Sequence, residues 1–219
     1  MVPRPDPPGA NARWAVCRLA AVLAVCAAFS TTTGCNRGPS RLAAPDWDPS
    51  GLAERIMADF DKNGDAQLDE QELAAAPGLA AGVSVLDADK NGVLTAAEIE
   101  SQFELNRQQR VGLKTPTFRV TYNNRPVAGA EVKFVPEPFL EGVIEPAVGT
   151  TDAAGMVTPQ TEGQNLLGMR LGYYRVQVIS PKVKIPEKYA GAETTLGADV
   201  SLVQNGYGAP SATQLKLTD

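Results

Sequence analysis

The sequence lacks histidine entirely, and its three cysteines, Cys17, Cys26 and Cys35, all lie within the first 35 of 219 residues. Without histidine, no imidazole can act as a general base, as it does in many hydrolases. Because cysteine is confined to the start of the chain, Cys/His zinc sites and disulfides are excluded from the remainder. We therefore expect a protein that is not an enzyme.

Basic residues are also in the minority. The chain has 20 Lys and Arg against 25 Asp and Glu, a formal net charge of −5, and no basic stripe interleaved with aromatic residues. Nucleic acid is therefore excluded as the expected partner. With 43% hydrophobic and 21% charged residues, the composition is that of a globular protein with a genuine core.

The first 34 residues have the pattern of an export signal. Arg4, Arg13 and Arg18 precede an apolar run over residues 19–29, and small residues follow it. The run has about half the ~20 residues that a membrane-spanning helix needs. We predict a signal peptide over residues 1–34, a tether over 35–49, and export to the cell envelope.

The end of this signal carries a second pattern. Thr33-Gly34-Cys35 resembles the end of a bacterial lipobox, although Thr32 stands where that family has Leu. The resemblance implies lipidation of Cys35 and a membrane anchor. Two alternatives stay open: an ordinary secreted protein cleaved near Ala28, or an uncleaved anchor in which Cys35 is one more small residue.

Two twelve-residue segments, Asp61–Glu72 and Asp87–Glu98, place oxygen-bearing residues at their first, third, fifth, seventh, ninth and twelfth positions. This spacing resembles the calcium loops of the EF-hand family, in which the seventh residue binds through its carbonyl and the twelfth through both carboxylate oxygens. The resemblance implies two Ca²⁺ sites. The expected ligands are Asp61, Asn63, Asp65, Gln67, Asp69 and Glu72 in the first loop, and Asp87, Asp89, Asn91, Val93, Thr95 and Glu98 in the second.

A solvated turn is the alternative interpretation of each loop, because Asp, Asn and Gly are common turn residues. The loops begin 87 − 61 = 26 residues apart, and each has Leu at its eighth position and Glu at its twelfth, which favours calcium. The sixth position is Ala66 in the first loop and Gly92 in the second. Since a left-handed backbone disfavours a residue with a Cβ, this predicts a weaker turn in the first loop.

Helical spacing surrounds the loops. Asp48 or Ser50 can cap a helix in which Leu52, Ile56 and Phe60 share a face, and a helix after the second loop should run to about Arg110. Between the loops, two short helices separated by Pro77-Gly78 are expected. Residues 50–111 are therefore predicted to form a compact EF-hand helical pair.

Residues 112–219 alternate between apolar and polar side chains, as in short strands. Segments 125–132, 149–155 and 172–176, together with Ile185-Pro186-Glu187-Lys188-Tyr189, resemble the carboxypeptidase regulatory-like or transthyretin-like β-sandwich of exported bacterial proteins. The expected fold class is thus α+β with segregated domains: a helical pair followed by an antiparallel β-sandwich.

Two sets of residues in this half have alternative interpretations. Tyr173, Tyr174 and Tyr189 line a ligand surface or belong to the core and its rim. Glu137, Glu141 and Glu145 form a solvated loop or a paired-carboxylate site, and nothing in the sequence would separate their pKa values as such a site requires.

The sequence as a whole predicts a non-catalytic calcium-binding protein of the cell envelope, anchored through Cys35, in which calcium clamps the helices and the sandwich contacts a protein or glycan. The alternative function is a carbohydrate- or peptide-binding module in which calcium is only structural.

Overall fold

The computed structural model describes residues 42–202 and 212–219. The predicted signal peptide, Cys35 and the first part of the predicted tether lie outside the described residues. No helix among the residues that are described is long and apolar enough to cross a membrane.

The first helix, α1 (Pro49–Phe60), begins as its sequence predicts. The Gly51 N–H donates to Asp48 Oδ1 over 3.2 Å, so Asp48 caps the helix. Leu52, Ile56 and Phe60 are buried along one face. The predicted capping residue and apolar face are both confirmed.

Three more helices accompany the two loops: α2 (Glu70–Leu73), α3 (Pro77–Leu86) and α4 (Ala96–Gln109). Pro77 begins α3 rather than separating it from α2, which suits a residue with fixed φ and no N–H. Helix α4 ends at Arg110, in agreement with the prediction. A short helix, α5 (Glu187–Ala190), lies in the second half.

The strands are short. They are β1 (Gln67–Leu68), β2 (Leu94–Thr95), β3 (Phe118–Tyr122), β4 (Arg125–Pro126), β5 (Glu131–Pro136), β6 (Ala147–Thr150), β7 (Met156–Val157), β8 (Gln160–Thr161), β9 (Gly172–Ile179), β10 (Gly197–Val200) and β11 (Thr213–Leu217). The alternation predicted over residues 112–219 is therefore confirmed around Phe118, Phe134, Val176 and Leu215, whereas the apolar Leu202 lies outside any strand and is exposed.

The strands form three sheets. The largest is antiparallel with the order β10-β9-β5-β6-β8, and the second joins β11, β3 and β4, with β7 also paired to β3. Strand β11 runs parallel to β3, so that Leu215 lies beside Val120. The third sheet is the pair β1-β2.

Helices and sheets share one hydrophobic core. The Phe103 ring of α4 meets the Tyr173 ring of β9 edge-on with centroids 5.8 Å apart, and Phe60 of α1 meets Phe139 at 6.1 Å. Within the sheet layers, Phe118 and Phe134 pack at 4.6 Å. Rings from the helical half and from the sheet half are removed from water in the same interior. Their burial therefore stabilises both halves together.

The predicted fold class is therefore wrong. The described residues belong to one compact unit rather than to a segregated EF-hand helical pair and a separate sandwich. The β-structure is mixed instead of antiparallel, since β11 pairs in parallel with β3. The physical reason is that α3 packs against β9 and β10, and Phe103 of α4 meets Tyr173 of β9, so the helices are buried against the sheet as well as against one another.

Part of the predicted tether is packed against this unit. Trp47 is buried, and its ring lies 5.5 Å from that of Phe103. The guanidinium of Arg170 donates to the Ala43 carbonyl and, over 2.8 Å, to the Gly112 carbonyl. Arg170 thus ties the segment before α1 to the segment after α4.

Candidate metal centre

Three carboxylates converge in the second loop. Asp87 is the C-cap of α3, with its N–H donating to the Val83 carbonyl over 2.8 Å, and Glu98 lies in the first turn of α4. One carboxylate oxygen from each of Asp87, Asp89 and Glu98 lies within 4.8 Å of the other two. Within the part of the chain that the structure describes, no other group of three or more acidic side chains meets this distance.

Backbone amides orient these carboxylates. Asp87 accepts from the N–H groups of Asn91 (3.1 Å) and Gly92 (2.8 Å). Burial raises the pKa of Asp87, but these amides lower it more, and the net shift is downward. The carboxylate is therefore ionised at neutral pH, the form that binds a cation.

Glu98 closes the loop in the same way. It accepts from the Ala88 N–H over 3.0 Å and from the N–H and hydroxyl of Thr95 over 2.9 and 2.8 Å. Burial raises the pKa of Glu98, while the Thr95 and Ala88 donors outweigh it and lower the pKa overall. Thr95 also caps α4, since its hydroxyl accepts from the Glu98 N–H.

The first loop has the same local turns. Asp61 accepts from the N–H groups of Gly64 (2.7 Å) and Ala66 (3.0 Å). Glu72 accepts from Lys62 and Asn63 with Oε1 and from the Asp69 N–H with Oε2. The bonds from Lys62 and Asn63 bring the Glu72 carboxylate back to the start of the loop, beside Asp61.

Asp69, the additional carboxylate of the first loop, has a second task. It accepts from the N–H groups of Gln71 (2.8 Å) and Glu72 (3.0 Å), and so caps α2. The extra charge at the ninth position is thus held at the helix start rather than directed wholly toward the loop centre.

The backbone of both loops is left-handed at the fourth and sixth positions. In the first loop these are Gly64 (φ 76°) and Ala66 (φ 64°), and in the second Lys90 (φ 61°) and Gly92 (φ 90°). Each loop therefore has one glycine and one strained residue. The asymmetry expected from Ala66 alone is offset by Lys90, which the sequence pattern did not single out.

Strands β1 and β2 join the loops. Leu68 pairs with Leu94 and Gln67 with Thr95, and both leucines are fully buried. The eighth residues of the two loops thus meet in a short strand pair. The carbonyls of the seventh residues, Gln67 and Val93, are predicted ligands. Gln67 lies in this strand pair and Val93 immediately precedes it.

All predicted donors are oxygens, and this fits calcium, a hard cation that takes six to eight of them. Asp87, Asp89, Asn91 and Glu98 would supply side-chain oxygens in the second loop, and Val93 a carbonyl. Asn63 and Asn91 each turn their amide N–H toward a neighbouring loop carboxylate, Asp65 and Asp89, over 3.1 and 2.9 Å. Neither loop contains a nitrogen or sulfur ligand that would favour zinc.

The residues that seat the loops on the sheet were not predicted. Glu137, expected in a solvated loop or a carboxylate site, is fully buried. It accepts from the Gly78 N–H over 2.7 Å and from Arg175 Nε over 2.8 Å, and Arg175 Nη2 donates to the Ala75 carbonyl over 2.8 Å. Burial raises the pKa of Glu137, while Arg175 and the Gly78 amide oppose that rise.

A second buried polar cluster lies beneath α3. Asp199 accepts from the Ser201 hydroxyl over 2.8 Å, and the Lys114 ammonium donates to the Ser201 carbonyl. Burial raises the pKa of Asp199 to about 6, against the lowering effects of Ser201 and Lys114. The pKa of the neighbouring Tyr173 hydroxyl is raised by its own burial and by the Asp199 charge.

Of the three tyrosines considered as a ligand surface, Tyr173 and Tyr174 are fully buried and Tyr189 is nearly so. Glu145 pairs with Arg170 over 3.3 Å, and Glu141 is exposed. These side chains do not form one site.

Comparisons with known protein families, with characterised proteins and with solved structures find no match. The EF-hand and transthyretin-like resemblances therefore stay predictions, and function is inferred from residues and geometry.

Proposed function

We propose that this protein binds calcium in its two loops and uses the ions to stabilise its own fold. The observation that carries the proposal is the convergence of the Asp87, Asp89 and Glu98 carboxylates within 4.8 Å. Three negative groups at this separation repel one another, and a divalent cation among them relieves that repulsion. The repeated backbone pattern of the first loop supports a second ion there.

Each residue has a distinct role in this proposal. The carboxylates and amide oxygens supply the charge and the oxygen donors, while the backbone N–H groups of Asn91 and Gly92 hold Asp87 in place. Glu98 is the last residue of its loop and lies in α4, and Glu72 is the last residue of its loop and lies in α2. A bound ion would therefore link the helix before each loop to the helix after it. Calcium supplies charge neutralisation and cross-linking here and no chemical step.

The proposed role is non-catalytic. The chain has no histidine, and the buried acidic groups Glu137 and Asp199 are engaged with Arg175 and Ser201. Export to the envelope, the lipid anchor at Cys35 and contact with an envelope protein or glycan stay predictions. They depend on residues outside those that the structure describes, or on a partner that the sequence does not identify.

Calorimetric titration of CaCl₂ into the full-length chain tests the proposal. We expect two ions per chain with dissociation constants of about 10⁻⁴ to 10⁻³ M, the range of extracellular modules. The double variant Glu72→Gln plus Glu98→Gln should weaken both sites by at least about tenfold and so remove most of the binding heat. Glu100→Gln, an exposed glutamate of α4 outside the loop, is the matched control and should leave it unchanged. Absence of heat at about 10 mM calcium would contradict the proposal.

A further inference from the structure

Residues 73–86 lie between the two loops, and the first of them, residues 73–78, form a short connector that leads into α3. Glu72, the last residue of the first loop, immediately precedes the connector, and α3 ends at Leu86, immediately before Asp87, the first residue of the second loop. A change in the geometry of either loop is therefore passed to the connector through one helical element.

The connector is held by side chains of the large sheet. Gly78 donates to Glu137, Ala75 accepts from Arg175, and Arg175 and Glu137 pair directly over 2.8 Å. Glu137 is itself fixed, because its N–H donates to the Tyr173 carbonyl over 3.0 Å. These bonds satisfy backbone groups that a buried helix start would otherwise leave unpaired.

The contact is also sterically tight. A Cβ on Gly78 would lie 2.7 Å from the Tyr174 nitrogen of β9, and a Cβ on Gly197 of β10 would overlap the Pro77 carbonyl oxygen. The start of α3 thus rests directly on the backbone of β9 and β10. Such close-packed contacts transmit displacement instead of absorbing it.

We propose that the Glu137–Arg175 anchor couples both loops to strands β9 and β10 of the large sheet. A change in the stability of either loop then changes the free energy of local unfolding of these two strands. The calcium form of this regulation rests on the proposed function. The mechanical coupling does not, since it follows from the connector and its anchor alone.

Hydrogen exchange of the full-length chain tests the coupling without a metal. Gly92 has open space around it, so Gly92→Ala strains the left-handed backbone of the second loop without a clash. We expect protection of the amides in β9 and β10 to fall about fivefold, in parallel with those of α4. Loss of protection in α4 with unchanged protection in β9 and β10 would overturn the proposal.

A second variant isolates the anchor. Arg175→Lys keeps the charge but loses the paired donors that reach both Glu137 and Ala75. In this background the Gly92→Ala effect on β9 and β10 should shrink to less than half. Arg119→Lys, the same change at an exposed position of β3, should leave the effect intact. An equal effect in both backgrounds would overturn the role of the anchor.

Hydrogen exchange with added calcium is the third test. If the loops bind calcium, addition of CaCl₂ at about ten times the dissociation constant should raise protection in β9 and β10 about tenfold. Calcium heat without added protection in β9 and β10 would overturn the coupling and leave the proposed function standing. Absence of calcium heat together with the Gly92→Ala effect would overturn the proposed function and leave the mechanical coupling standing.

Discussion

The two loops share one ligand pattern but differ in the helix that follows each of them. Glu98 lies in the first turn of the 14-residue helix α4, in which Ile99 and Phe103 are fully buried. Glu72 lies in the four-residue helix α2, where Leu73 is the buried side chain. The carboxylates converge in the second loop, and those of the first do not reach the same separation. Ligand geometry thus depends on the anchoring of the last ligand as well as on spacing.

The loops also differ in the buried polar side chains that lie under the helices next to them. Helix α3, which leads into the second loop, lies over Asp199, and a Cβ on Gly82 would lie 3.4 Å from the Asp199 Cβ. The connector anchor at Glu137 serves both loops, whereas the Asp199 cluster lies beneath α3. Replacement of Glu137 should therefore affect both loops, whereas replacement of Asp199 should act through α3.

Removal of the shared anchor should have the largest effect and should act on both loops together. Glu137→Gln leaves the Arg175 guanidinium without its carboxylate, and breaking a buried pair costs about 3–5 kcal/mol. Urea unfolding measures this loss. Glu141→Gln, an exposed position in the same segment, is the control and should change stability by less than about 0.5 kcal/mol.

The Asp199 cluster should give a pH dependence of similar size. The pKa of Asp199 is raised from 3.8 to about 6 in the fold, so the folded state binds this proton more tightly than the unfolded state. Its stabilising contribution is full below about pH 3.8 and is lost as pH rises through about 6, a change of about 3 kcal/mol.

Asp199→Asn removes that titration. Relative to wild type, the variant should therefore gain about 2 kcal/mol in free energy of unfolding between pH 4 and pH 7. Denaturant unfolding at several pH values measures the difference in free energy of unfolding between the variant and wild type. Both proteins contain the loop carboxylates, so their contributions to the pH dependence cancel in this difference. A difference that stays constant over this range would show that the Asp199 carboxyl titrates alike in both states.

Single replacements of the last ligands sharpen the comparison directly. Glu98→Gln should weaken the second calcium site at least about 100-fold, beyond the 10- to 100-fold typical of outer-shell partners. Glu72→Gln should weaken the first site about tenfold, because Glu72 lies in the four-residue helix α2 and the first-loop carboxylates do not converge as those of the second loop do. Calorimetry of each single variant measures both values. A larger loss from Glu72→Gln would reverse the ranking of the two loops.

The smallest effect concerns the strained backbone. Ala66→Gly should stabilise the first loop by about 0.5–1 kcal/mol, because φ 64° favours glycine. Ala88→Gly, at a position of the second loop without positive φ, is the matched control and should destabilise by a similar amount. Thermal unfolding measures both changes, and a loss of stability in both variants would contradict the strain argument.

Local structure was largely predictable. The cap at Asp48, the alternation of Phe118 and Val120, and the pairing of Leu68 with Leu94 each follow from patterns within a few residues or from a repeated motif. The strain at Lys90 was missed because the family pattern directs attention to the sixth position of the loop. Its signal is the Gly64 at the equivalent fourth position of the first loop.

The separate domains were wrongly expected because local periodicity shows which residues form a helix or strand and says little about what each apolar face meets. Gly78, Gly82 and Gly197 carry no periodic signal, yet they allow α3 to rest on the backbone of β9 and β10. The parallel pairing of β11 with β3 and the burial of Glu137 likewise depend on partners far away in the chain.

The sequence by itself determined the two oxygen-rich loops, the helices that flank them and most strands, because capping, turn chemistry and side-chain alternation act over short distances. Only the tertiary structure decided that helices and sheets share one core, that the connector rests on Glu137 and Arg175, and that the acidic side chains of the second loop converge. Those features depend on which surfaces meet, and long-range packing selects them.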